Sequence, residues 1–260
     1  MPSTYAHYRF GVGLLPSLPG DARRTIQRFR RLFDVGLHGP DIFYYSLPLV
    51  KSGLRFLGIK YHEQSGKEFF QRACRALRME RSEAAQAYLY GVLCHYCLDV
   101  YLHPFVAQNA SDTISHQQIE AEFDRFLLET DGKVPPCAQD LSPHLKLTPG
   151  EWETVAKFYP PATASHVRDS LQNMARLTKL MAVPEGARRT LLEKTMTMMG
   201  KDLADLLIPA EPNLNCTQLN PALMDRYQAA LEAFPGMLSQ LQAHMTYSAA
   251  FEEDFDAPFG

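Results

Sequence analysis

The sequence predicts an all-α protein, a single multi-helix domain over residues 1–250 followed by an acidic tail over 251–260. Three observations point there. Apolar residues recur at three- and four-residue spacing through the long segments. No stretch sustains the period-two alternation of β-branched residues that marks a half-buried strand. Turn-forming residues fall in clusters that leave segments of helical length between them. With 260 residues and 46% hydrophobic content, the chain can bury a sizeable core.

The turn clusters lie at 15–20, 36–40, from the 130s to 143, at 160–164 and at 208–221. The first predicted helix covers 21–33, where Asp21 can cap and Ile26, Phe29, Leu32 and Phe33 follow helical spacing. Residues 65–78 repeat the pattern with Phe69, Phe70, Cys74 and Leu77. The helix over 82–102 opens on Ser82 and is expected to stop at Pro104, whose ring and missing N–H break a helix interior. A shorter helix begins at Asp112 or Ser115 and runs to 129, with Ile119, Phe123, Phe126 and Leu127 on one side. Three long helices are predicted over 164–181, 185–207 and 221–248. The tail over 251–260 is acidic and aromatic, and either hangs free or packs back.

A formal net charge of −3 gives no general pull toward nucleic acid or anionic membrane, so no stable nucleic-acid complex is expected. Arg23, Arg24, Arg28, Arg30 and Arg31 form the one local basic cluster singled out. No window approaches the roughly 20 apolar residues that span a bilayer, and the start lacks the charged and apolar stretches of a secretory signal. The odd count of five cysteines argues against a disulfide framework. A reducing, cytoplasmic location is the expectation.

The chemistry concentrates in the first half. His95, Asp99 and His103 are spaced four apart on one predicted helix, and each such step turns only about 40°, so they share a face. The apolar neighbours Tyr88, Leu89, Val92, Leu93, Leu98 and Val100 turn that helix inward. Burying two imidazoles and a carboxylate without a partner is costly, and a metal ion resolves the cost. His116 and Glu120 repeat the spacing on the next helix. Taken singly each pair reads as a surface contact; five such residues within 26 positions do not.

The run of His95, Asp99, His103, His116 and Glu120 at intervals of four, four, thirteen and four resembles the zinc-dependent phospholipase C family and its fold relatives, the single-strand-specific zinc nucleases. Thr4-Tyr5-Ala6-His7, Gly39-Pro40-Asp41 and Tyr61-His62 fall where that family keeps its other ligands, and the likeness covers roughly 1–125. The resemblance implies two or three Zn2+ ions. Asp41, His62, His95 and Asp99 would hold one, His103, His116 and Glu120 a second, and His7 with a bridging Asp99 a third. It implies a phosphoric diester hydrolase of phospholipase C type, with zinc-activated water as nucleophile and Asp41 as general base. Secreted relatives free an N-terminal Trp to complete the third site. Here the single Trp is Trp152, which leaves Met1, Pro2 or water for that place.

Each ligand has a plainer reading. His7 fits an aromatic cluster with Tyr5, Tyr8 and Phe10; Asp41 fits a cap for a helix over 42–50; His62 fits a loop. His38 is assigned to the surroundings of the ligands or to solvent, and His144, His166 and His244 to the surface. Cys94 and Cys97 are read as core packing, as are Met196, Met198 and Met199. Phe43, Tyr44 and Tyr45 either line a substrate pocket or pack between helices. The competing functions are a single-strand-type nuclease or other phosphodiesterase, and a non-catalytic binding protein clamped by closed metal sites.

Overall fold

In the computed structural model, residues 4–46, 53–200 and 204–260 are described. The chain runs α1 (Thr4–Leu14), α2 (Gly20–Arg28), α3 (Arg30–Gly36), a 3-10 turn (Gly39–Tyr45), α4 (Gly53–Glu63), α5 (Gly66–Glu80) and α6 (Glu83–Asn109). It continues with α7 (His116–Thr130), α8 (Pro149–Ala156), α9 (Ala164–Met181), α10 (Ala187–Met199) and α11 (Asn220–Tyr247). No strand occurs among the described residues; Ser65 and Pro258 form one isolated bridge. No described helix is long and apolar enough to cross a membrane.

Helix α6 is the axle. It is apolar around most of its circumference, as a helix surrounded by protein must be, and Tyr88, Leu93, Cys94, Tyr96, Cys97 and Leu98 are all buried. Helices α1, α2, α3, α5, α7, α8 and α11 pack on it. The α3 crossing is close because Gly36 and Gly91 meet there: a Cβ on either would run into the other helix's backbone. Cys94 and Cys97 are free thiols in this core, as read from the sequence.

Several boundaries differ from expectation. The 21–33 segment is two helices, because Phe29 leaves helical geometry at φ −119°, ψ 43°. Helix α6 passes Pro104 and continues to Asn109. The bond Pro104 cannot make is the one to the Val100 carbonyl, and both residues lie on the accessible side of the helix, where solvent can take that oxygen. The predicted 185–207 helix is Ala187–Met199 and ends at Gly200, whose φ of 150° is foreign to a helix; residues 201–203 lie outside the described ones. Met198 is 88% exposed, not core. Helices α1, α4 and α8 were not anticipated; α1 contains Gly11 and Gly13, and its packing against α6 and α7 overrides their poor propensity. His62 therefore lies on a helix, not in a loop. The helix expected over 42–50 is the 3-10 turn as far as Tyr45, and 47–50 fall outside the described residues.

The tail packs back. Phe251, Phe255 and Phe259 are buried, Phe255 and Phe259 completely. The Ala257 carbonyl accepts from the Gly66 N–H at 2.9 Å and from the Tyr96 hydroxyl at 2.9 Å.

Candidate metal centre

Five elements deliver the eight predicted ligands to one place. Helix α1 brings His7, the 3-10 turn Asp41, α4 His62, α6 His95, Asp99 and His103, and α7 His116 and Glu120. Local sequence sets the directions. Gly39 adopts φ +45°, where a side chain is strained, and a Cβ there would strike the His95 ring. The turn can therefore pass flat over His95 and aim Asp41 beneath it. Ser115 starts α7 with a reciprocal capping box: its hydroxyl accepts from the Gln118 N–H while the Gln118 side chain accepts from the Ser115 N–H. His116 and Glu120 are then stacked one turn apart, 3.1 Å between Nε2 and Oε1.

Three groups can each embrace an ion: Asp41, His62 and His95; His7, His95 and Asp99; and His103, His116 and Glu120. His62 Nε2 lies 2.8 Å from Asp41 Oδ1, and His95 Nδ1 lies 3.8 Å from Asp41 Oδ2. Asp99 is the hub. Its Oδ1 is 3.2 Å from His7 Nε2 and 3.2 Å from His103 Nε2, and its Oδ2 is 3.0 Å from His95 Nε2. The His103–Asp99 contact links the third group to the second, and within the third His103 Nε2 lies 3.3 Å from Glu120 Oε1. His95 joins two groups, one through each ring nitrogen.

These donors fit a cation better than they fit one another. His95 Nδ1 and Nε2, Asp41 Oδ2 and Asp99 Oδ2 are buried without any hydrogen bond, although His95 Nε2 and Asp99 Oδ2 stand only 3.0 Å apart. Each such orphaned group costs about 1–3 kcal/mol, and charged ones more. Lone pairs aimed at a common point rather than along N–H directions explain the pattern, and nitrogen and oxygen donors of this mix suit zinc. His62 is compatible with the same reading. Its Nδ1 lies 2.8 Å from the Gly58 carbonyl and 3.2 Å from the Tyr44 hydroxyl. With its Nδ1–H given to Gly58, the ring holds Nε2 toward Asp41 Oδ1 at 2.8 Å, where either a proton or a cation can stand between them. A cavity of about 10 Å3, the space of one small sphere, opens among His7, Asp99, His103 and Glu120.

Electrostatics concentrate the same way. Burial raises the Asp99 carboxyl, but His103, His95 and His7 outweigh it and hold Asp99 well below the usual carboxylate range. Burial lowers His103, yet Asp99 and Glu120 carry it up to about 9. His7 and His62 likewise rise against burial, through Asp99 and Asp41 respectively. The open side lies at His103 and His116, whose side chains keep 16% and 30% exposure against 2% for Asp99.

The sequence model of the zinc-dependent phospholipase C family matches residues 6–170. The chain belongs to that family. No curated protein and no solved structure matches it. The all-α architecture of this zinc-dependent phospholipase C family member is that of the family. Met1 and Pro2, which the sequence left beside water as groups to complete the third site, lie outside the described residues.

Sequence reading missed three neighbours of the centre and left a fourth, His38, open between the surroundings of the ligands and solvent. Asp124 accepts from the Tyr5 N–H at 2.9 Å and the Ala6 N–H at 2.8 Å, pinning the start of α1 and thereby His7. It stands four residues after Glu120, so the His116–Glu120 spacing continued one step would have found it. Burial pushes its carboxyl up to about 7. Tyr44 is a second support, through His62. The other two are His38 and His144. His38 is fully buried and faces His144, not solvent: the two Nε2 atoms are 2.8 Å apart, and the His144 ring stacks on Tyr8. His144 is thus no ordinary surface residue. Neither is His244, which is buried and stacked on Phe251 with Nδ1 against the Ala249 carbonyl. His166 takes part in the N-terminal cap of α9, receiving the Thr163 N–H on Nδ1. Of the three aromatics after Asp41, Phe43 is buried against Tyr159, and Tyr45 lines a cavity of about 50 Å3 beside Glu120 and Asp124.

Proposed function

We propose that the chain hydrolyses a phosphodiester bond, most fittingly the headgroup ester of a phospholipid, with two or three zinc ions held by His7, Asp41, His62, His95, Asp99, His103, His116 and Glu120. The observation that carries this reading is the set of buried nitrogen and oxygen donors in and around Asp99 that make no hydrogen bonds and converge on shared points, in a chain of the zinc-dependent phospholipase C family. Bound zinc supplies Lewis acidity toward phosphate oxygens and brings coordinated water close to neutral pKa. Asp41 is the candidate general base, a role that would share its carboxylate with the metal it helps to hold: Oδ1 faces His62 Nε2 at 2.8 Å and Oδ2 has no hydrogen-bond partner within the protein. His62 is in turn fixed through Gly58 and Tyr44. Substrate is expected to enter at His103 and His116, the two least buried ligands.

The test is hydrolysis of phosphatidylcholine vesicles and of a soluble chromogenic phosphodiester by zinc-loaded protein. The expected products are diacylglycerol and the phosphorylated headgroup. Asp41→Asn is expected to lose about 100-fold or more in rate, the scale of general-base catalysis. Protein that holds zinc yet cleaves neither substrate overturns the reading. Cleavage of single-stranded DNA with no cleavage of lipid would transfer it to the nuclease alternative.

A further inference from the structure

We infer that Phe259 is a positioning residue of the metal centre: the 251–260 segment supplies a wall of the imidazole cluster and holds the His62 and His95 rings in place. The inference rests on the zinc-binding reading above.

The Phe259 ring is completely buried, 6.1 Å from the centroid of His95 and 6.4 Å from that of His62. Its other contacts are aromatic residues of α5 and α6: Tyr96 at 4.8 Å, Phe69 at 5.3 Å and Phe70 at 6.2 Å. It is therefore the layer that separates two candidate ligands from the aromatic core. The backbone beside it is tied to the same ligands. The Gly260 N–H donates to the His62 carbonyl at 3.3 Å, and Gly260 backs so closely onto the His103 ring that no Cβ fits between them. The segment is anchored upstream by the Ala257 carbonyl, which receives Gly66 N–H and Tyr96 hydroxyl, and by Phe255 stacked on Tyr96.

The chemistry follows from what His95 lacks. Neither of its ring nitrogens makes a hydrogen bond, so no polar partner outside the ligand group fixes the ring's rotation. Metal-binding imidazoles ordinarily take their orientation from such a partner. Packing must do that work for His95: the His7 and His62 rings, 4.5 and 6.0 Å away, are themselves candidate ligands, and from outside that set the Gly39 turn and the Phe259 ring face it.

The test compares Phe259→Ala and Phe259→Leu with wild type, using Phe234→Ala as a control. Phe234 is a buried α11 residue whose ring meets that of Phe10, not a candidate-ligand imidazole. The readouts are zinc affinity by chelator competition and the visible absorption of the cobalt-substituted protein, which reports ligand geometry independently of activity. Phe259→Ala is expected to lose about 10- to 100-fold in zinc affinity, the scale found for groups that orient metal ligands, with an altered cobalt spectrum. Phe259→Leu, which keeps apolar bulk, recovers part of both. Phe234→Ala lowers thermal stability and leaves spectrum and affinity unchanged. If Phe259→Ala does not fold, a shifted cobalt spectrum in Phe259→Leu sustains the inference and a wild-type spectrum overturns it. Phe259 variants that bind zinc and absorb as wild type does overturn the inference alone. A wild-type chain that binds neither ion overturns the zinc reading with it.

Discussion

Asp99 and His116 both belong to the proposed ligand set, but their surroundings differ. Asp99 faces three imidazoles within 3.2 Å and is almost fully enclosed, whereas His116 meets Glu120 at the half-open edge. Asp99→Ala should therefore retain fewer zinc ions per chain than His116→Ala, measured by mass spectrometry of the dialysed proteins; equal, small losses contradict the hub role. Asp124 supports a second prediction, on pH. Its carboxyl sits at about 7 in the folded chain against about 3.9 in an unfolded one. A raised value means the protonated form is favoured by folding, so its contribution is complete below about pH 4 and is lost as pH rises through about 7. In metal-free protein, the stability of wild type relative to Asp124→Asn should fall across that window by up to about 1.4 kcal/mol per pH unit. Denaturant melts at stepped pH check this, and a constant difference between the two proteins refutes it. At this scale the eight candidate ligands, which the structure brings together, could be named beforehand because four-residue spacing and the family likeness both act on sequence. The residues that orient them were not: Tyr44, Asp124 and Phe259 reach the site only through the packing of separate elements.

Among the elements, α7 shows how local sequence becomes site geometry. Its first residue is a candidate ligand, so fraying of its first turn would be fraying of the site. Ser115 closes the capping box and also donates its hydroxyl to Asp205 at 2.7 Å. Ser115→Ala is expected to cost about 1 kcal/mol of stability, the usual loss for a cap, and to weaken zinc retention at His103, His116 and Glu120. Chemical denaturation and metal analysis of the same preparation test it; unchanged stability would show that the cap is dispensable. Helix α7 is held from its other side by Glu122, a fully buried carboxylate that pairs with Arg125 at 2.8 Å and accepts from the Asn213 N–H at 3.0 Å. Helices with strong caps and periodic apolar faces, α5, α7 and α9, were placed closely by sequence. Those whose helicity depends on partners were not. Helix α1 carries two glycines, and α6 ignores its proline, because contacts across the molecule outweigh those local preferences.

Across the whole molecule, one apolar axle gathers candidate ligands from both ends of the sequence's first half, and the 251–260 segment packs against them. His7 and Glu120 are 113 positions apart and Phe259 lies a further 139 beyond Glu120, so no helix of this set can form the centre alone. Ions at the three groups would join α6 to the 3-10 turn and α4, to α1, and to α7, elements otherwise linked by loops, and so would couple metal binding to folding. The sequence foretold the helical class and the family; it left open the tail, which packs inside, because three phenylalanines among acidic residues suit a free or a bound segment equally. The most direct test of the account is anomalous X-ray scattering at the zinc edge from crystals of the zinc-loaded protein. Peaks are expected among Asp41, His62 and His95 and among His103, His116 and Glu120, with a further one between His7 and Asp99 if the third site fills. Density with no anomalous peak within bonding distance of Asp99, His95 or His103 would contradict it.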